Sequence, residues 1–112
     1  MIASTYKIKG IFISILPTNS YIRFKYLKMD LNALFTKAVA ESKDLKDRPS
    51  NETLLQLYSF YKQATEGDAN GEVPGMFDFV AKAKYEAWLS LKGKTKEGAM
   101  QEYINLVEKL KS

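Results

Sequence analysis

The feature that most constrains the fold of this chain is the spacing of its apolar residues from Met29 onward. They recur at intervals of three and four, and no stretch of this region alternates with the two-residue period of a strand. Residues at such intervals share one face of a helix, and that face has to be covered by other helices. The pattern therefore predicts an all-α domain, a bundle of four helices around one core.

Start and stop signals divide this region into the four helices. A polar side chain that accepts a hydrogen bond from the first turn favours a helix start, and glycine or proline favours an end. The predicted limits are Asp30 and Pro49 for the first helix, Ser50 or Asn51 for the start of the second, Phe77 or Phe79 and Gly93 for the third, and Thr95 for the start of the fourth.

The connections between the helices differ in length. Residues 46–50 and 92–94 form short links, whereas residues 67–78 form a long one that contains the turn signals Asn70-Gly71 and Pro74-Gly75. A long link lets the second and third helices run parallel instead of forming an antiparallel hairpin. We expect this departure from a simple bundle to leave a groove that a small ligand can occupy.

Composition argues against an enzyme. The 112 residues include no histidine and no cysteine. The commonest general base, the commonest metal ligand and every Ser-His or Cys-His nucleophile pair are therefore missing, as are disulfides and thiolate metal sites. We predict no catalytic residue and no metal site.

The positive charge is concentrated in the first 28 residues. They hold five basic residues and no acid, which leaves 12 basic against 13 acidic residues in 29–112. A domain so nearly neutral does not predict nucleic-acid binding.

The apolar run Ile11 to Leu16 is too short to span a bilayer, which needs about 20 residues. Residues 29–112 are thus predicted to form the domain, and residues 1–28 an extension. Three interpretations of the extension remain open: a spurious or weakly ordered segment, a targeting or membrane-surface segment, or an integral part of the fold.

One predicted helical face carries a mixture of aromatic and basic side chains. Tyr58, Tyr61, Lys62 and Thr65 have helical offsets of zero, three, four and seven and so lie on one side of the second helix. Spacing alone leaves two interpretations open: ordinary packing with a lysine that reaches solvent, or one wall of a binding site.

The residues that follow carry a resemblance. The segment YSFYKQATEGDANGEVPGMFDFVAKAKYEAW, residues 58–88, is similar to the acyl-CoA-binding protein family, in which YxxYKQATxGD, PGMxDF and KAKxxAW recur in this order and spacing. The resemblance extends from about Leu31 to Lys111. It implies a four-helix carrier that binds medium- to long-chain fatty acyl-CoA esters and forms an intracellular pool of them. It implies no enzymatic activity and no cofactor.

The resemblance also implies roles for individual residues. Tyr58, Tyr61 and Lys62 would contact the nucleotide end of coenzyme A, Lys84 the ribose 3′-phosphate, Tyr103 the ligand from the opposite wall, and Lys43 the phosphates. Candidates for the walls of the acyl-chain groove are Phe35, Val39, Leu54 and Leu55. Trp88, Phe79 and Met76 are assigned to packing. Val80 stands where many members of the family have a lysine.

The expected ligand is fatty acyl-CoA. Transient contacts with membranes and with enzymes that use acyl-CoA are also expected, and binding of nucleic acid is not. The resemblance implies a cytoplasmic monomer. Two other functions remain open: a helical module that binds another protein through an apolar groove, and a membrane-associated protein that uses the basic extension.

Overall fold

The computed structural model describes residues 6–8, 11–13 and 20–112, with side chains from Asp30 onward. The elements are β1 (Tyr6–Ile8), β2 (Ile11–Ile13), α1 (Ser20–Ser42), α2 (Asn51–Glu66), α3 (Phe79–Leu89) and α4 (Lys96–Lys111). Strands β1 and β2 pair antiparallel, with Tyr6 opposite Ile13. The four predicted helices are all present, and the all-α architecture predicted for residues 29–112 is confirmed.

Helix α1 starts earlier than predicted. It begins at Ser20, so Asp30 lies inside the helix, and the prediction that Asp30 opens it is wrong. The reason is local: no proline or glycine stands between Ser20 and Ser42. An aspartate in a helix interior costs only about 0.7 kcal/mol or less relative to alanine, which does not terminate a helix.

The starts of α2 and α4 follow their predicted caps, and α3 starts at Phe79, one of its two predicted positions. Ser50 caps α2, with its hydroxyl accepting a hydrogen bond from the Thr53 N–H at 3.1 Å. Thr95 caps α4 in the same way through the Gly98 N–H at 2.9 Å. Asp78 caps α3. Helix α3 ends at Leu89, four residues before the predicted Gly93, since residues 90–93 form a turn instead.

The core lies where α4 packs against α1 and α2, whereas α3 packs chiefly against α2. Its buried apolar cluster draws on these three central helices and consists of Phe35, Ala38, Leu57, Ala64, Ala99, Tyr103, Ile104 and Val107. Because α3 has one main neighbour rather than two, most of its surface stays half-buried or exposed, and Trp88 is its one buried residue.

A hydrogen-bond network joins the long loop to the rest of the bundle. The buried amide of Gln63 donates to Asp68 Oδ1 at 2.9 Å and to the Lys94 carbonyl at 2.8 Å, and Asp68 Oδ1 also accepts from the Gly93 N–H at 2.9 Å. These bonds hold the end of α2 against the turn that precedes α4. They also keep the pKa of the Asp68 carboxyl below its usual value, because first the Gly93 N–H and then the Gln63 amide favour the charged form.

Trp88 anchors α3 to the same place. Its indole N–H donates to the Gly67 carbonyl at 2.8 Å. Gly67 has a φ of +82°, a conformation that glycine adopts without strain and that ends α2 at the start of the loop. Gln63, Gly67, Asp68 and Trp88 are all part of the similar segment, so a large share of that segment stabilises the scaffold. The assignment of Trp88 to packing is confirmed.

Candidate functional site

An open groove of about 510 Å³ lies between α2 and α3. Its walls are mainly apolar, with polar and charged groups from the α1–α2 connection and from α3. The lining residues are Arg48, Asn51, Leu54, Leu55, Tyr58, Phe79, Val80, Ala83 and Lys84.

Helical spacing explains why these side chains meet. Asn51, Leu54, Leu55 and Tyr58 have offsets of zero, three, four and seven, which places them on one face of α2. On α3, Phe79, Val80, Ala83 and Lys84 have offsets of zero, one, four and five and likewise share a face. The two faces meet because α3 packs chiefly on α2.

Tyr58 and Lys84 are brought together as the sequence predicts. The Lys84 Nζ atom lies 5.4 Å from the centre of the Tyr58 ring, within the range of a cation–π contact. No acidic side chain of the described residues forms an ion pair with Lys84. The groove therefore offers a phenol face beside a cation that an incoming anion can bind.

Lys62 points elsewhere in this structure. Its Nζ atom pairs with the Glu66 carboxylate and lies 4.7 Å from the centre of the Trp88 ring. The hydrogen bond that Lys62 donates to the Glu66 carboxylate raises the pKa of Lys62. An anionic ligand would have to compete with Glu66 for this lysine, whereas Lys84 needs no such exchange.

Tyr61 belongs to an aromatic cluster on the other side of α2. Its ring stacks on Phe35 with centroids 6.0 Å apart, and Phe35 meets Tyr103 edge-on at 5.2 Å. Tyr61 is 40% exposed, whereas Tyr103 is only 4% exposed. The Tyr103 hydroxyl donates to Ser42 Oγ at 2.9 Å, and burial raises the pKa of this phenol. Tyr61 is thus the member of the cluster that a ligand can reach directly.

The helical period explains why the predicted stripe divides. A helix turns by about 100° per residue. Viewed along the axis of α2, Tyr61 therefore lies to one side of Tyr58 and Lys62 to the other, and the two are about 100° apart. Tyr58 faces the groove, Tyr61 faces Phe35 and Lys62 faces Trp88. The residues are neighbours on one helix, but they contact three different surroundings.

The remaining predicted residues fall into two groups. Leu54 and Leu55 line the groove. Phe35 is buried and Val39 is half-buried against the core, so both lie away from its lining. Lys43 is exposed in the turn after α1 and also lies outside the lining.

The assignment of Phe79 and Met76 to packing is wrong. Their side chains are 74% and 73% exposed, and Phe79 lines the groove. Aromatic residues at helical spacing are usually buried, but the first turn of α3 has no helix on its outer side. Sequence reasoning also missed Arg48, Asn51 and Ala83. The shared face with Lys84 would have indicated Ala83 and Phe79, whereas nothing in the spacing indicates Arg48, because it lies outside any helix.

The chemistry of the groove suits reversible binding of an amphipathic anion. Its apolar walls can cover an alkyl chain, and its two cationic side chains, Arg48 and Lys84, can bind acidic groups. In the described part of the chain, no three His, Cys, Asp or Glu residues come together as metal ligands would. No helix within the described residues has the length and apolarity needed to cross a membrane.

Comparison with known families gives a match over most of the helical region. The family model described as Acyl CoA binding protein matches residues 32–107. A Drosophila melanogaster acyl-CoA-binding protein homolog is 49% identical over 76 residues, which cover 68% of this chain and 88% of the relative. The Saccharomyces cerevisiae acyl-CoA-binding protein is 45% identical over 80 residues, which cover 71% of this chain and 92% of the relative.

A similar segment occurs within a larger protein. Rattus norvegicus enoyl-CoA delta isomerase 2 is 50% identical over 78 residues, which cover 70% of this chain but only 20% of the isomerase. The present chain thus spans about one fifth of that enzyme.

Solved structures share the fold. The crystal structure of Oryza sativa acyl-CoA-binding protein 2 aligns with a TM-score of 0.69 and 41% identity over 71% of this chain and 89% of the rice chain. The crystal structure of the Moniliophthora perniciosa protein ACBP aligns with a TM-score of 0.67 and 41% identity over 70% of this chain and 78% of the fungal chain.

Proposed function

Because this chain belongs to the acyl-CoA-binding protein family, we propose that it binds medium- to long-chain fatty acyl-CoA esters without reacting with them. The protein acts as an intracellular carrier that keeps a pool of these esters in solution. The observation that carries the proposal is the groove between α2 and α3, in which Lys84, with no ion-pair partner among the described side chains, lies over Tyr58 beside an apolar wall.

The proposed contacts divide the ligand into two ends. Tyr58 presents a ring face on which an adenine can stack, for roughly 1 to 3 kcal/mol, and Lys84 binds the ribose 3′-phosphate. Lys62 joins this phosphate after leaving Glu66, and Tyr61 contacts the ligand through its exposed side. Tyr103 and Lys43, both at the α1–α4 side of the molecule, are proposed as further contacts, and the contact with the buried Tyr103 requires that the ligand displace Tyr61 from its edge.

The acyl chain requires only apolar surroundings. Leu54 and Leu55 already line the groove, and each methylene that they cover contributes about 0.8 kcal/mol to binding. Phe35 and Val39 are proposed to extend this surface from the core side. The long acyl chain therefore supplies most of the affinity, and the phosphates determine that the ligand is a coenzyme A ester.

We propose residues 29–112 as the ligand-binding domain, which contains the whole region that the family model matches. The protein is proposed to act as a cytoplasmic monomer, with no cofactor, and to release its ligand during transient contacts with membranes and with enzymes that use acyl-CoA.

An exposed apolar patch supports the proposed contact with membranes. It comprises Val73, Met76 and Phe77 in the loop before α3, and Phe77 is 84% exposed. The patch adjoins Phe79 and Val80, which line the groove, so it continues the apolar surface proposed for the acyl chain. We propose that a lipid bilayer is the surface that covers this patch, because the chain of the ligand itself partitions into bilayers.

The test of the proposed function is calorimetric titration of the full chain with a long-chain acyl-CoA, free coenzyme A and the matching free fatty acid. We expect the ester to bind at least a hundredfold more tightly than either part, because only the ester engages both the cations and the apolar wall. Equal weak binding of all three would refute the proposal. A module that binds another protein would show no dependence on the phosphates.

A further inference from the structure

The link between α2 and α3 contains the dipeptide Asn70-Gly71, and both residues are exposed. Gly71 has a φ of +86°, which glycine adopts without strain, and a β-carbon placed on it would meet no described atom within 4 Å. The Asn70 amide donates a hydrogen bond to the Asp68 carbonyl at 3.3 Å. No hydrogen bond of the described residues engages the Gly71 N–H, which leaves this nitrogen open to solvent.

These two residues can react with each other, since asparagine is chemically one of the less durable side chains. The Gly71 nitrogen attacks Asn70 Cγ, and a bond forms between these two atoms. The Cγ–Nδ2 bond breaks, and the leaving nitrogen takes up the proton of the Gly71 N–H and departs as ammonia. Water then opens the resulting cyclic imide at either of its carbonyl carbons. The product is an aspartate or an isoaspartate, and in the isoaspartate the main chain runs through the side-chain carbon atoms.

The other asparagines with described side chains are in helices. Asn32 lies in α1, Asn51 at the start of α2, and Asn105 in α4. To close the ring, the backbone has to rotate until the next nitrogen meets Cγ, which a helix resists because its backbone dihedral angles are fixed. Each of these three asparagines is also followed by a residue with a β-carbon, which hinders the rotation. Asn70 is therefore the most reactive of the four.

The link also has the freedom that ring closure requires. Within residues 69–77, one backbone–backbone hydrogen bond is described, which the Gly75 carbonyl accepts from the Asp78 N–H. A segment with so few hydrogen bonds opens locally at a small cost in free energy. The network of Asp68 fixes the link before this part, and the cap that Asp78 forms on α3 fixes it afterwards. The reaction therefore leaves the bundle folded.

We propose that Asn70 is a site of spontaneous deamidation, with the Gly71 nitrogen as the nucleophile. The conversion adds a negative charge between Asp68 and Glu72, in the same link as the apolar patch. Acidic lipid headgroups repel such a charge, so the modified protein binds acidic membranes less strongly. No residue that lines the groove changes, so acyl-CoA binding is retained. The modification does not depend on the proposed function, whereas its effect on membranes rests on the proposed contact of the patch with lipid.

The first test follows the full chain during prolonged incubation at mildly alkaline pH, which favours loss of the Gly71 amide proton. Isoelectric focusing and mass spectrometry of peptides are applied to the wild type and to the control Asn70→Gln, whose longer side chain disfavours the ring. The wild type should gain a more acidic form, with the change located at Asn70, while Asn32, Asn51 and Asn105 keep their amides. Asn70→Gln should lack this form.

Two results would overturn the proposal: an Asn70 amide that stays intact in the incubated wild type, or conversion of the three helical asparagines at the same rate. The urea midpoint of the wild type should not change during incubation. A midpoint that falls as the acidic form accumulates would contradict the conclusion that the bundle is unaffected.

The second test measures sedimentation with vesicles that contain phosphatidylcholine and phosphatidylserine. Asn70→Asp should bind about fivefold less than Asn70→Gln at low salt, as expected for one additional charge near an acidic surface. The difference should disappear at high salt and with phosphatidylcholine alone, because the repulsion requires an unscreened surface charge. In calorimetry, the two variants should bind a long-chain acyl-CoA equally.

Equal sedimentation of the two variants with the acidic vesicles at low salt would refute the effect on membranes. If the wild type sediments with neither kind of vesicle, the proposed contact of the patch fails, and this effect fails with it. The deamidation itself is decided by the peptide masses alone.

Discussion

Replacement of Trp88 by phenylalanine tests how far the similar segment stabilises the fold. The indole N–H donates to the Gly67 carbonyl at 2.8 Å, and Trp88 is the buried residue that joins α3 to the end of α2. Without a donor, the part-buried carbonyl loses its partner, which costs about 1 to 3 kcal/mol. The smaller ring also lacks two carbon atoms, which costs about 1.5 kcal/mol at about 0.8 kcal/mol per buried carbon.

The two effects together predict a loss of about 3 kcal/mol in the free energy of unfolding. For a domain of this size, this loss corresponds to a decrease in Tm of about 12 to 24 °C. The assay is urea unfolding followed by far-ultraviolet circular dichroism, because the chain has only one tryptophan and the variant loses its fluorescence signal. Tyr85→Phe, at the half-buried neighbour of Trp88 on α3, is the matched control and should change stability by less than about 0.5 kcal/mol. A loss below about 1 kcal/mol in Trp88→Phe would refute the argument that this hydrogen bond anchors α3.

The remaining predictions concern the ligand, pH and lipid. Lys84→Ala should weaken acyl-CoA binding by about tenfold or more, and Lys62→Ala should weaken it less, because Lys62 is paired with Glu66. In calorimetry with an ester that lacks the 3′-phosphate, both losses of affinity should vanish. Losses with that ester as large as those with acyl-CoA would contradict the assignment. The pKa of Asp68 is lower in the folded protein than its unfolded value of about 3.9. The Asp68 carboxylate therefore contributes fully to the stability of the fold above about pH 3.9, and this contribution is lost as pH falls through the folded pKa. Asp68→Asn should therefore flatten the decline of the urea midpoint below about pH 4, and an unchanged decline would count against the network. Phe77→Ser should reduce sedimentation with phosphatidylcholine vesicles, whereas Leu89→Ser, at an exposed apolar residue outside the patch, should not; equal effects would argue against the patch.

Sequence reasoning was most successful where a structural feature depends on a few neighbouring residues. Ser50 and Thr95 cap α2 and α4 because each cap needs only one hydroxyl and the N–H three residues later. The long loop was evident from its three glycines and its one proline. Helix α1 shows the limit of such signals, since Asp30 resembles a cap but nothing upstream of it interrupts the helix.

The candidate site was predictable only in part. Leu54 and Leu55, candidates for apolar walls, and Tyr58 and Lys84, named through the resemblance, all lie in the lining of one groove. Spacing did not predict that Tyr61 would turn toward Phe35, because that direction depends on where α1 packs.

The sequence by itself therefore determined the four helices, the caps of α2 and α4 and the residues that share each face, since these depend on hydrogen bonds and offsets within a few residues. Only the tertiary structure decided which faces meet. Because α3 packs chiefly on α2, Phe79 remains exposed at a groove instead of buried in a core. The same packing places Arg48, which belongs to no helix, in the lining shared with Lys84, 36 positions along the chain. Such contacts depend on the relative positions of separate elements, and no local pattern in the sequence specifies them.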